Sequence, residues 1–129
     1  MMSVLKHRFM TSFDDLKDRY REFVNKRDWE QFHTPKNLAE AISIESSELL
    51  EAFLWHDNYD ADRVTDDPEL MGKIEEELAD VVIYSLALAS QLDIDLASCV
   101  ETKMDNNEDR FDLETSEEMT ESLERWKRS

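Results

Sequence analysis

A single glycine, Gly72, and two prolines are the only strong backbone breakers in this chain of 129 residues. Both prolines directly follow a good N-cap residue, in Thr34-Pro35 and Asp67-Pro68. There a helix loses nothing by the missing N–H. Tight turns between strands lean on Gly and Pro, so a chain this poor in them is expected to form a few long helices and no sheet. The apolar residues recur at helical rather than alternating spacing, which gives the same all-α answer. With 40% hydrophobic residues over this length, the chain can build one domain with a real core.

Residues 1–11 read as an N-terminal lead. A first helix is expected from near Ser12, with Asp15 as its capping-box partner, to about Lys26. Its inward face is Phe13, Leu16, Tyr20, Phe23 and Val24. Arg27 to His33 reads as a polar, aromatic loop. A second helix follows from Thr34-Pro35 to about Trp55, and His56 to Asp67 is an Asp-rich loop. A third helix runs from Asp67-Pro68 to about Leu92. A fourth begins after Asp95, with Leu96, Val100, Met104 and Phe111 inward. The domain is expected over 12–111, with 112–129 an acidic tail or a short helix through Met119, Leu123 and Trp126.

Two carboxylate pairs at helical spacing fall on stripes that otherwise read as core. Glu45 lines up with Leu38, Ala41, Leu49 and Ala52, and Glu48 with Ala41, Ile44, Ala52 and Trp55. Glu77 lines up with Leu70, Ile74, Val81 and Tyr84, and Asp80 with Ile83, Tyr84 and Ala87. An unpaired ionised carboxylate costs several kcal/mol to bury, and few basic residues lie nearby in the sequence. A hard divalent cation held by oxygen ligands answers that cost. Glu45 and Glu77 each stand roughly 15 Å along their helices from the connecting loop, so an antiparallel hairpin brings the pairs level. Glu45, Glu48, Glu77 and Asp80 are therefore expected to converge on one or more Mg²⁺, whereas Glu51, Glu75 and Glu76 fall on solvated faces.

The net charge of −17 argues against nucleic acid or an anionic membrane as partner. It is also what a salt-rich cytoplasm selects, since salt screens like charges. Cys99 is the only cysteine, with apolar neighbours, and reads as a packed thiol in a reducing cytoplasm. No apolar run is long enough to span a bilayer, and a soluble, cytoplasmic protein is expected. Di-iron chemistry needs paired Glu-x-x-His motifs, and the sole match, Glu30 to His33, precedes the second helix. His7 and His56 have no ligand-spaced partners. Phosphate has no Gly-rich loop to bind, which leaves metal and side chains. Trp29, Phe32 and Trp55 can plug a bundle end or stack on a base. Tyr84 can be core or can hydrogen-bond beside the metal. Lys103, Asn107 and Arg110 form a polar stripe, either solvated or a phosphate contact.

Taken together, Arg27-Asp-Trp-Glu-Gln-Phe-His33, Pro35, Asn37, Glu45-x-x-Glu48, Trp55, Glu77-x-x-Asp80-x-x-x-Tyr84 and Lys103-Met-x-x-Asn107 resemble one group of enzymes. These are the MazG-like all-α nucleoside triphosphate pyrophosphohydrolases, and the dCTP pyrophosphatase branch in particular. The resemblance spans about residues 12–111. It implies a four-helix bundle in an oligomer, homodimer or homotetramer, and Mg²⁺ dependence with Mn²⁺ as a substitute. The implied reaction is hydrolysis of an NTP or dNTP to monophosphate and pyrophosphate. By the same resemblance Glu45, Glu48, Glu77 and Asp80 are ligands and catalytic groups. Trp29, Glu30, Gln31, Phe32, His33, Trp55 and Tyr84 contact the nucleotide, and Lys103 and Asn107 meet its phosphates, from a neighbouring subunit in an oligomer.

Two positions depart from the branch. Tyr20 stands where the dCTP-specific relatives carry a histidine near the base, and Phe111 where they carry a tyrosine. That leaves dUTP or a modified base as the alternative substrate within the family. The rival from outside it is a non-catalytic acidic helical protein, a metal buffer or DNA mimic, which leaves carboxylates on core faces unexplained.

Overall fold

The computed structural model describes residues 11–56 and 59–129. The expected lead over 1–11 lies outside them except for Thr11, as do His7 and residues 57–58 of the Asp-rich loop. Among the described residues there are six α-helices and no strand. The chain forms two compact units that divide after Ile94.

In the first unit, α1 (Phe13–Lys26) starts where expected. Ser12 Oγ accepts from the Asp15 amide and Asp15 accepts from the Ser12 amide, both at 3.2 Å. The chain then reverses through Asp28, at φ 57°, a left-handed value that Asp tolerates. A 3₁₀ turn (Glu30–Phe32) follows inside the expected loop. The Asn37 amide side chain donates to the Phe32 carbonyl at 3.1 Å and ties this turn to the next helix.

Helix α2 (Pro35–Glu51) is capped by Thr34 and stops four residues before the expected end, leaving Trp55 in a turn. The Asp-rich loop contains a short helix, α3 (Ala61–Thr65), because Asp60 caps the Arg63 amide at 3.0 Å. Helix α4 (Pro68–Gln91) is the long element, capped by Asp67. Helices α1, α2 and α3 all pack on α4, and α2 does so most extensively. Val24, Leu38, Leu70, Leu86, Ala87 and Ala89 form the buried core, while Phe13 and Phe23 remain largely exposed.

The second unit comprises α5 (Leu96–Arg110) and α6 (Leu113–Arg128), each capped by an Asp. The expected tail or short helix is thus a helix of 16 residues. Val100, Met104 and Phe111, expected inward, are exposed, as is Cys99, which corrects its reading as a packed thiol. Among the described residues no single helix is long and apolar enough to cross a membrane.

Candidate functional site

Helices α2 and α4 bring three of the four expected carboxylates into one cluster. Glu45, Glu48 and Glu77 each offer an oxygen, and these oxygens lie within 4.8 Å of one another. Glu77 is only 4% exposed, the one buried charged residue in the described chain, whereas Glu45, Glu48 and Asp80 are half-buried. Asp80 lies one turn beyond Glu77, and its charge raises the pKa values of Glu45, Tyr20 and Tyr84. The flanking Glu51, Glu75 and Glu76 are exposed, as expected.

The cluster's electrostatics follow from crowding. Glu45 is pushed up to about 7, first by its hydrogen bond with Glu77, then by burial and by Glu48 and Asp80. Glu77 is held below the ordinary carboxylate range, first by Lys73 and then by the bond to Glu45. Of these crowded carboxylates Glu45 thus holds a proton the more tightly, and Glu77 is the readier to ionise. Glu45 Oε2 and Glu77 Oε2 are buried and have no hydrogen-bond partner. Converging carboxylate oxygens left without donors are what a hard divalent cation requires, so this donor set fits one.

Sequence reasoning missed the cation nearest this cluster. Lys73 Nζ lies 3.0 Å from Glu77 Oε1, one helical turn before it. The i,i+4 spacing was the available signal.

Beside the carboxylates, Tyr84 is half-buried, its pKa raised by burial and then by Glu45 and Asp80. Tyr20 is raised by burial, then by Tyr84 and Asp80, which puts α1 at the edge of the same site. Its hydroxyl pairs with His33 Nε2 at 3.2 Å, while His33 Nδ1 donates to the Trp29 carbonyl at 2.8 Å. The Gln91 amide donates to the His33 carbonyl and fastens the 3₁₀ turn to the end of α4.

Trp29 meets Phe23 edge-on at 5.8 Å and keeps 44% of its surface exposed, and Phe32 is more exposed still. Gln31 donates to the Asp28 carbonyl at 3.3 Å. Glu30 lines a polar cavity of about 360 Å³ with Lys17, Tyr20, Arg21, His33 and Gln91. Trp55 is 86% exposed in the turn after α2. Lys103 and Asn107 lie on α5, in the second unit.

A cluster of three carboxylates between two long helices of an all-α chain is the feature against which known proteins are compared. A MazG-like family model matches residues 41–125, and the chain belongs to the MazG-like family. It is 38% identical over 105 residues to dCTP pyrophosphatase 1 of Rattus norvegicus, covering 81% of this chain. The chain spans 62% of that relative's length. With dCTP pyrophosphatase 1 of Homo sapiens it shares 39% identity over 100 residues, 78% of this chain and 59% of the relative. Among solved structures it is similar to a pyrophosphatase from Archaeoglobus fulgidus DSM 4304, at a TM-score of 0.67 and 43% identity. That match covers 77% of this chain and 91% of the other.

Proposed function

We propose that the chain is a Mg²⁺-dependent nucleoside triphosphate pyrophosphohydrolase acting on dCTP or a related dNTP, with water as co-substrate and dCMP and pyrophosphate as products. The observation that carries this reading is the cluster of Glu45, Glu48 and Glu77, with two buried oxygens lacking donors. The names of the relatives, dCTP pyrophosphatase and pyrophosphatase, support the reaction class and the nucleotide.

Glu45, Glu48, Glu77 and Asp80 would hold the cation from α2 and α4. Bound there, Mg²⁺ would neutralise the triphosphate and the charge developing on departing pyrophosphate. One of the cluster carboxylates orients the attacking water and accepts its proton. The water oxygen bonds to the α-phosphorus as the bond from that phosphorus to the α–β bridging oxygen breaks. Trp29, Phe32, His33 and Tyr84 hold the base, with Glu30 and Gln31 fixing the turn that carries the aromatics. Trp55 closes over the nucleotide.

Exposed Ile44, Leu50, Leu54 and Trp55 on and after α2 support assembly into a homodimer or homotetramer, in which Lys103 and Asn107 complete a partner's site. The role assigned is nucleotide-pool cleansing in the cytoplasm, with neither nucleic acid nor membrane as partner. A panel of dNTPs and NTPs with Mg²⁺ tests the reading, dCTP being expected to turn over fastest. If dUTP outran dCTP, the substrate assignment would pass to the uracil nucleotide. Absence of turnover on every nucleotide would leave only a metal-binding helical protein.

A further inference from the structure

Glu77 is buried, and its two oxygens have different surroundings. Oε1 lies 3.0 Å from the Lys73 ammonium, and Oε2 has no hydrogen-bond partner. In the other ion pairs of the described chain, Lys17–Asp14, Lys26–Glu22, Lys36–Glu40 and Arg128–Glu124, the carboxylate is well exposed. Surface pairs of that kind contribute little to stability. Lys73 differs because its side chain is 49% exposed while its partner is buried, so the ammonium reaches from the solvent edge into a crowd of carboxylates.

A divalent cation held by Glu77 would share that carboxylate with the Lys73 ammonium, 3.0 Å from Oε1, and like charges so close repel strongly in a partly dehydrated site. A half-exposed lysine can leave at small cost, because its four-carbon stem swings the ammonium into water. We propose that Lys73 is a tethered counter-ion that occupies Glu77 in the metal-free chain and yields it when a divalent cation binds, so that this ammonium sets the site's metal affinity. The inference rests on the metal-site reading above and deepens it. Lys73 tempers repulsion among the cluster carboxylates until the metal arrives, and the metal must outcompete it.

Calorimetric titration of metal-stripped protein with Mg²⁺, alongside thermal melting with and without Mg²⁺, tests this without any nucleotide. Lys73→Gln is expected to bind Mg²⁺ on the order of tenfold more tightly than wild type. It should also melt at a lower temperature without metal, so that Mg²⁺ raises its Tm by a larger step. Lys73→Arg, which keeps the charge, should stay near wild type. Lys36→Gln removes the same charge from the exposed pair with Glu40 and should change neither quantity, which separates a local effect from net charge. Equal Mg²⁺ affinity in Lys73→Gln and wild type would overturn the inference. Weaker binding in Lys73→Gln would also overturn it, making Lys73 an orienting partner of Glu77. A wild-type chain that binds no Mg²⁺ would instead overturn the metal-site reading.

Discussion

Glu45 on α2 and Glu77 on α4 bring carboxylate oxygens together across the helix pair, and their pKa values move apart, Glu45 upward in the crowd and Glu77 downward beside the Lys73 ammonium. Two features offset repulsion in this cluster, the raised proton affinity of Glu45 and the ammonium of Lys73. Both devices are ones a bound cation would make unnecessary.

The proton gives a pH dependence with a definite sign. Glu45 titrates at about 7 in the folded metal-free chain, against 4.5 for an ordinary glutamate. The folded state holds this proton more tightly than the unfolded chain does. Its contribution to stability is complete below the unfolded value and is lost as pH rises through the folded one. Glu77 is shifted downward, so its contribution fades only on acidification below that window. The Tm in EDTA should therefore fall between about pH 5 and about pH 8, and Mg²⁺ should recover the loss at the upper end. A Tm in EDTA that is level or rising over this range would contradict the raised proton affinity of Glu45.

Glu48→Gln and Asp80→Asn should each lower kcat/KM by on the order of a thousandfold, as expected when charge stabilisation at the reacting phosphoryl group is lost. Their metal-free Tm should hold or rise, since each removes a negative charge from a crowded cluster. Turnover like wild type in both purified variants would remove these residues from the site.

Much of this arrangement is legible in the sequence. Ser12, Thr34 and Asp67 announce the starts of α1, α2 and α4 by local chemistry alone, and each cap forms. The carboxylates were readable because helical periodicity sets Glu45 and Glu77 among apolar neighbours. Lys73 was not, since Lys and Glu at i,i+4 are common on solvated helices and only packing of α2 on α4 buries Glu77. The Tyr20–His33 pair joins α1 to the 3₁₀ turn, a tertiary contact without a local signature. Helix α3 is too short for periodicity to reveal, and Cys99 has apolar sequence neighbours without being packed.

Trp29→Ala and Trp55→Ala should each weaken nucleotide binding by on the order of 1–3 kcal/mol if the rings stack on the base. Mg²⁺ affinity should be unchanged in both, because neither ring belongs to the carboxylate cluster. Calorimetry with dCTP and with Mg²⁺ alone separates the two effects. Unchanged dCTP affinity in either variant would return that tryptophan to a structural role.

At a net charge of −17 the chain should repel a triphosphate at long range. Raising KCl from about 0.01 M to about 1 M shortens the Debye length from roughly 30 Å to roughly 3 Å, so kcat/KM for dCTP should rise and the chain should melt higher. The ratio of dCTP to dUTP turnover should change far less, because the base contacts proposed for the aromatic turn are short-range. Highest stability and activity in dilute buffer would reject adaptation of this surface to salt.

Attack of water at the α-phosphorus is tested most directly by hydrolysing dCTP with Mg²⁺ in ¹⁸O-labelled water and weighing both products. The wild-type chain is expected to give dCMP carrying one ¹⁸O atom and unlabelled pyrophosphate, and Asp80→Asn the same labelled products on the order of a thousandfold more slowly. Formation of dCDP and phosphate, or label in pyrophosphate with none in dCMP, would contradict it.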